Sequence, residues 1–202
     1  MCFVKANKLS LHRFFLIREM FRLISIFMLK VFGWKKVGVF PEGKKFIVLA
    51  APHTSMWDFV WGKFYYAVIR KSVMFMIKEK YFSFPLGILL RFLGAIPVTA
   101  GRKPGMVEQM VEQFKQRDEF LLTITPEATR KKVKRWKRGF YHIALEAQVD
   151  VVLGFIDYKK KELGILGSIN LSGDEKADME KIRLFYENIS GKFPENFNSK
   201  II

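Results

Sequence analysis

The sequence is poor in cysteine: Cys2 stands alone among 202 residues, so no intrachain disulfide can form and a cysteine-rich zinc site is excluded. Histidine is scarce too, with three in the whole chain, so a histidine beside a carboxylate calls for a reason. Acidic residues are outnumbered, 19 Asp and Glu against 35 Lys and Arg, for a formal net charge of +16. A surface of that sign seeks polyanions, whether nucleic acid, anionic lipid headgroups or a phosphorylated substrate. Long hydrophobic runs are also missing. From Leu23 only seven residues pass before Lys30 intervenes, well short of the ~18 a transmembrane helix needs. The basic, apolar N-terminus lacks a small-residue cleavage site after an uninterrupted apolar region, so it reads as retained rather than removed. Repeats and low-complexity tracts are absent.

Apolar bulk, by contrast, is plentiful. Half the residues are hydrophobic and 21 are Phe, which excludes a disordered chain. The length suits one domain with a sizeable core. Residues 14 to 34 are densely apolar, interrupted by Arg18, Glu19, Arg22 and Lys30. Charges kept to a stripe on such a helix point to a segment lying in a membrane interface. Packing on the domain core is the competing reading. Residues 1–40 are therefore expected to form an amphipathic, interfacial segment, and residues 41–202 the main domain.

Within that domain, apolar runs at 46–51, 73–77, 95–99, 120–124 and 151–156 read as buried strands, and 163–169 as a further one. Helical patterns separate them at 59–70, after Pro85, at 104–117 and at 140–148, with another at 179–189. The stretch 37–45, containing Pro41 and Gly43, reads as a connector. Strands alternating with helices predict an α/β layered domain, its central sheet mostly parallel and flanked by helices. In such sheets, working residues gather on loops beyond the carboxyl ends of the strands. His53, Arg102, Glu127 and Arg130 all fall just after expected strands.

"APHTSMWD", residues 51–58, sets His53 five positions before Asp58. A neutral imidazole can take a hydroxyl proton near neutral pH, and a carboxylate on its other nitrogen fixes the tautomer. On a regular helix the two would lie about 140° apart. They meet only if His53 precedes the helix and Asp58 sits in its first turn. Ser55 to Asp58 is equally a capping-box pattern, which would leave Asp58 a purely structural task. "GAIPVTAGRK", residues 94–103, ends a strand in a small-residue turn presenting Arg102 and Lys103. "TPEATR", residues 125–130, offers Thr125, Glu127, Thr129 and Arg130 directly after a strand. Arg130 is suited to bidentate contact with a phosphate, and an ordinary surface loop is the alternative. From Arg130 to Arg138 run seven cations in nine residues with Trp136 among them. That stretch reads as a nucleic-acid surface or as a membrane-facing patch with Trp136 at the headgroups.

In this order the blocks resemble the lysophosphatidic acid (1-acylglycerol-3-phosphate) acyltransferase family of glycerolipid acyltransferases. Its His-x4-Asp motif is matched by His53 and Asp58, and its Gly-x-Ile turn with a basic residue by Gly94 to Arg102. Its Pro-Glu-Gly-Thr-Arg loop is matched by Pro126 to Arg130, and its hydrophobic fourth block by Val151 to Ile156. The resemblance implies a general base in His53, oriented by Asp58, with no Ser or Cys nucleophile. Arg102 and Arg130 would hold the acceptor's phosphate, with Glu127 and Thr129 shaping that loop. It also implies acyl-CoA or acyl carrier protein as donor, with no cofactor and no metal. The acceptor would be a lysophospholipid, most specifically 1-acylglycerol 3-phosphate, at an anionic membrane surface on the cytoplasmic face. Nucleic acid is the less favoured partner. O-acylation of another lyso-lipid, such as an aminolipid, and a non-catalytic basic binding protein are the alternatives. The chain departs from the family pattern at Ala128, where Gly is usual, and at Thr125, where Phe is common. The path from Gly94 to Arg102 is longer, and the fourth block lacks proline. A left-handed backbone at residue 128 would cost Ala more than Gly.

Overall fold

A computed structural model describes residues 8–99, 101 and 103–198. Its elements run α1 (Lys8–Val31), β1 (Lys35–Val37), β2 (Lys45–Ala50), α2 (Met56–Val68), β3 (Val73–Lys78), α3 (Leu86–Phe92) and β4 (Ala95–Val98). There follow α4 (Met106–Gln116), β5 (Phe120–Ile124), α5 (Gly139–Ala147), β6 (Val151–Asp157), β7 (Glu162–Ile169) and α6 (Glu175–Tyr186). The strands form one sheet in the order β1-β7-β6-β2-β5-β3-β4. All neighbours are parallel except the β6–β7 hairpin. The expected α/β class and mostly parallel sheet are those observed.

β2, at the centre of the sheet, shows why a continuous apolar run was needed there, since both its faces are covered. Ile47 and Leu49 point into a core with Met110 and Phe114 of α4, Phe140 of α5 and Ile182 of α6. Phe46 and Val48 point into a second core with Leu29 of α1, Trp34, and Trp61 and Tyr65 of α2. Thus α1 and α2 cover one face, and α4, α5 and α6 the other. Tyr186 crosses into the centre, its hydroxyl within hydrogen-bond reach of the carbonyls of Leu49 and Gly154.

The N-terminal segment, read as interfacial with packing on the core as the competing reading, contributes Leu29 and Trp34 to that core. Of its charges, Glu19 and Arg22 turn inward, while Arg18 and Lys30 are exposed. Glu19 pairs with Arg22 at 3.5 Å and with Arg70 at 3.0 Å, while Arg22 Nε donates to the Val68 carbonyl at the end of α2. Large apolar side chains are left outward, among them Phe15, Met20, Leu23, Phe27 and Val31.

Two sequence-based readings change. The connector read over 37–45 overlaps a short edge strand at Val37: β1, three exposed residues, pairs with β7. Trp136 does not sit at a headgroup surface: it is buried, packed edge-on against Tyr186 at 5.6 Å between ring centroids. The surrounding cations suggested a solvent-facing stretch, but the indole fills a gap in the core while its neighbours Lys134, Arg135 and Lys137 stay exposed.

Candidate active site

β5, β2 and β6 are adjacent and parallel, so the chain leaves three neighbouring strand ends at one edge of the sheet. β2 delivers His53 and then Asp58, β5 delivers Glu127 to Arg130, and β6 delivers Tyr158. Residues far apart in sequence are thereby placed side by side at the carboxyl ends of the strands.

His53 lies before α2 and Asp58 is that helix's third residue, the arrangement the spacing required. Nδ1 of His53 is 3.2 Å from Asp58 Oδ2. The same carboxylate oxygen accepts from the backbone amides of Thr54 and Ser55, each at 2.8 Å. Ser55 Oγ in turn accepts from the Trp57 amide, completing a capping box. The two readings of this motif therefore coexist: Asp58 caps the helix and holds the imidazole with one oxygen. Its other oxygen, Oδ1, accepts the Tyr158 hydroxyl at 2.7 Å. His53 keeps Nε2 free of any bond to the described residues, and its side chain is 21% exposed.

Glu127 is turned into the interior. It is buried, and its Oε1 accepts the backbone amide of His53 at 3.0 Å, tying the β5 loop to the β2 loop. Burial pushes its carboxyl up to about 7, against partial relief from that amide. Ala128 follows with φ +55°, the left-handed conformation glycine favours. Thr129 and Arg130 are exposed beyond it, and Thr129 Oγ1 accepts the Lys131 amide. Arg102 lies outside the described residues. The strand before it, β4, is at the sheet edge, separated from β2 by β3 and β5.

Beside the pair lies a groove of about 560 Å³. Thr54, Met56 and Trp57 line one side and Thr129, Arg130 and Lys131 another, while Lys192, Phe193 and Asn196 close it. The C-terminal segment is stitched into the site: the Phe193 amide donates to Thr54 Oγ1, and the Tyr158 amide to the Ser190 carbonyl. Lys192 sits over the Trp57 ring at 5.3 Å. Tyr158, Lys192 and Phe193 were not found in the sequence. Their only signal was position, Tyr158 directly after an apolar strand and Lys192 beside an aromatic.

Among the described residues, no three His, Cys, Asp or Glu side chains gather where they could hold a metal ion. The groove offers a cation-rich wall and apolar side chains, and the residue preceding Thr54 on its rim carries the unbonded imidazole nitrogen. That set can take a proton from a hydroxyl, hold an anion and accept an acyl chain.

A model of the Acyltransferase family matches residues 40–153, more than half of the chain, covering the first three blocks and the start of the fourth. No curated protein matches the sequence. Among solved structures, the 1-acyl-sn-glycerophosphate (LPA) acyltransferase PlsC from Thermotoga maritima is similar, with a TM-score of 0.57 and 18% identity. The similarity covers 92% of this chain and 84% of that one, and concerns the fold.

Proposed function

The chain belongs to the acyltransferase family, and from that premise we propose that it moves a fatty acyl group from an acyl thioester to the free hydroxyl of a lysophospholipid. The acceptor proposed is 1-acylglycerol 3-phosphate, giving phosphatidic acid. The observation that carries this reading is the buttressed His53–Asp58 pair beside a groove walled by Thr129, Arg130 and Lys131.

In the proposed reaction, Nε2 of His53 removes the proton from the acceptor hydroxyl as its oxygen attacks the thioester carbonyl. Asp58 orients the ring and stabilises the imidazolium. The tetrahedral intermediate collapses with cleavage of the C–S bond, and the proton passes from His53 to the departing thiolate. The acceptor is its own nucleophile, so no acyl-enzyme is formed. Arg130, with Thr129 and Arg102, binds the phosphate. Glu127 acts by holding the His53 backbone. The donor, acyl-CoA or acyl carrier protein, is a co-substrate and the only carrier required.

The outward apolar face of α1 and the cations of 130–138 favour work at an anionic membrane surface, on its cytoplasmic face. Among the described residues no helix is long and apolar enough to cross a membrane, which suits attachment within one leaflet. The residues 1–40 segment would supply that attachment and the rest of the chain the chemistry.

Acyl transfer from a radiolabelled thioester to lysophosphatidic acid, with wild type and His53→Ala compared, tests the reading. Product from wild type alone is expected. Product from both removes His53 as the base. Arg130→Ala is expected to raise KM for the phosphate-bearing acceptor selectively, and unchanged acceptor kinetics would move the assignment to another lyso-lipid.

A further inference from the structure

Three donors converge on Oδ2 of Asp58, all from residues 53–55, whereas Oδ1 depends on a side chain one hundred positions away. Asp58 is 8% exposed, so without Tyr158 that oxygen would be largely removed from water and left without a bond to the protein. We propose that Tyr158 is a positioning residue for catalysis, clamping the Asp58 carboxylate so that its other oxygen holds the His53 imidazole in the reactive orientation. The inference rests on His53 being the base.

Tyr158 is built for such a task. Its ring stands edge-on to Trp34 at 5.1 Å and 82°, and its amide is fixed to the Ser190 carbonyl at 2.9 Å. Burial, with the Asp58 carboxylate beside it, holds its hydroxyl well above the usual tyrosine range, so it stays a proton donor throughout the working pH range. Its hydroxyl is engaged by Asp58 Oδ1, so it acts through that carboxylate.

The hydroxyl also draws on the carboxylate's charge. With it removed, Asp58 presents more of its charge to His53, and the imidazolium is favoured. The groups facing this pair are Tyr158 from the end of β6 and Glu127 from the β5 loop. Glu127 is unchanged by a substitution at 158, so a difference between variants reads the tyrosine alone.

Tyr158→Phe keeps the ring against Trp34. It is expected to lower kcat about tenfold, roughly the loss of one charge-assisted hydrogen bond. KM for both substrates should stay within about twofold, and the acidic limb of the pH–rate profile should move to higher pH. The second readout needs no activity: NMR titration of the His53 imidazole in the full chain, assigned with His53→Ala, should show its midpoint raised in Tyr158→Phe. Were that variant to misfold, 3-fluorotyrosine at position 158 keeps the ring and strengthens the donor, and the midpoint should move down. An unmoved His53 titration, or unchanged kcat and pH profile, overturns the proposal whatever the change in thermal stability. If wild type transfers no acyl group, the proposed activity fails, and the titration still decides whether Tyr158 governs His53.

Discussion

Glu127 keeps a carboxyl in the interior with Oε2 unpartnered among the described residues. Its carboxyl stands at about 7 against an ordinary 4.5. Between those pH values the native protein holds a proton that the unfolded chain has released, so stability falls as pH rises through the window. The full difference, about 3 kcal/mol at ~1.4 kcal/mol per pH unit, stands above pH 7. Glu127→Gln should flatten this dependence when urea unfolding is compared at pH 5 and pH 8, and an unchanged slope would assign it to other groups. The same variant retains an acceptor for the His53 amide and should keep acyl transfer within several-fold. Glu127→Ala should lose far more, because it orphans that amide. Next to it, Ala128 at φ +55° predicts that Ala128→Gly stabilises the protein by up to about 1 kcal/mol, measured by chemical denaturation. The residue scale was legible where chemistry and spacing are local: His53 and Asp58 meet as five positions permit. The role of Glu127 was not, since an acid near Arg130 in sequence gives no hint that it turns inward to another strand's backbone.

Helices and strands were read well wherever burial writes a pattern. The two-sided burial of β2, β5 and β6 produces unbroken apolar runs, and α4 shows one apolar face in Met110, Val111 and Phe114. β1 was illegible because its exposed residues are chosen by pairing with β7 and not by burial. The segment 190–196 was illegible because its meaning lies in contact with residues 52–57. Gly191 marks that contact: a Cβ there would come within 2.8 Å of Thr54 Oγ1 and 2.9 Å of Thr54 Cγ2. Gly191→Ala is therefore expected to displace the loop bearing His53. Activity should fall at least several-fold while circular dichroism at room temperature remains that of wild type. Full activity in this variant would show that the C-terminal segment yields instead of the loop.

At the scale of the molecule, α1 leaves a broad apolar face outward while Leu29 reaches the core. Its ion pairs face α2 while Ile24 and Phe27, 50% and 64% exposed, face outward. On α3, Ile88 and Phe92 are 63% and 70% exposed. Replacing Ile24 and Phe27 by Ser should leave stability within about 1 kcal/mol, since little burial is lost. Co-sedimentation with phosphatidylglycerol-containing vesicles should drop sharply, and unchanged co-sedimentation would place the attachment elsewhere. Binding by wild type should also weaken between 0.1 M and 1 M salt, as the screening length contracts from about 10 Å to about 3 Å. The net charge of +16 announced such a dependence from composition alone. The side of the molecule that carries the apolar patch could come only from the fold.

The hydrogen bond from Phe193 to Thr54 spans 139 positions. During synthesis, α1 emerges from the ribosome before the strands it covers have been made. His53 follows, but Tyr158, Ser190 and Phe193 come much later. The loop bearing His53 therefore waits on contacts supplied a hundred or more positions later before its geometry is complete.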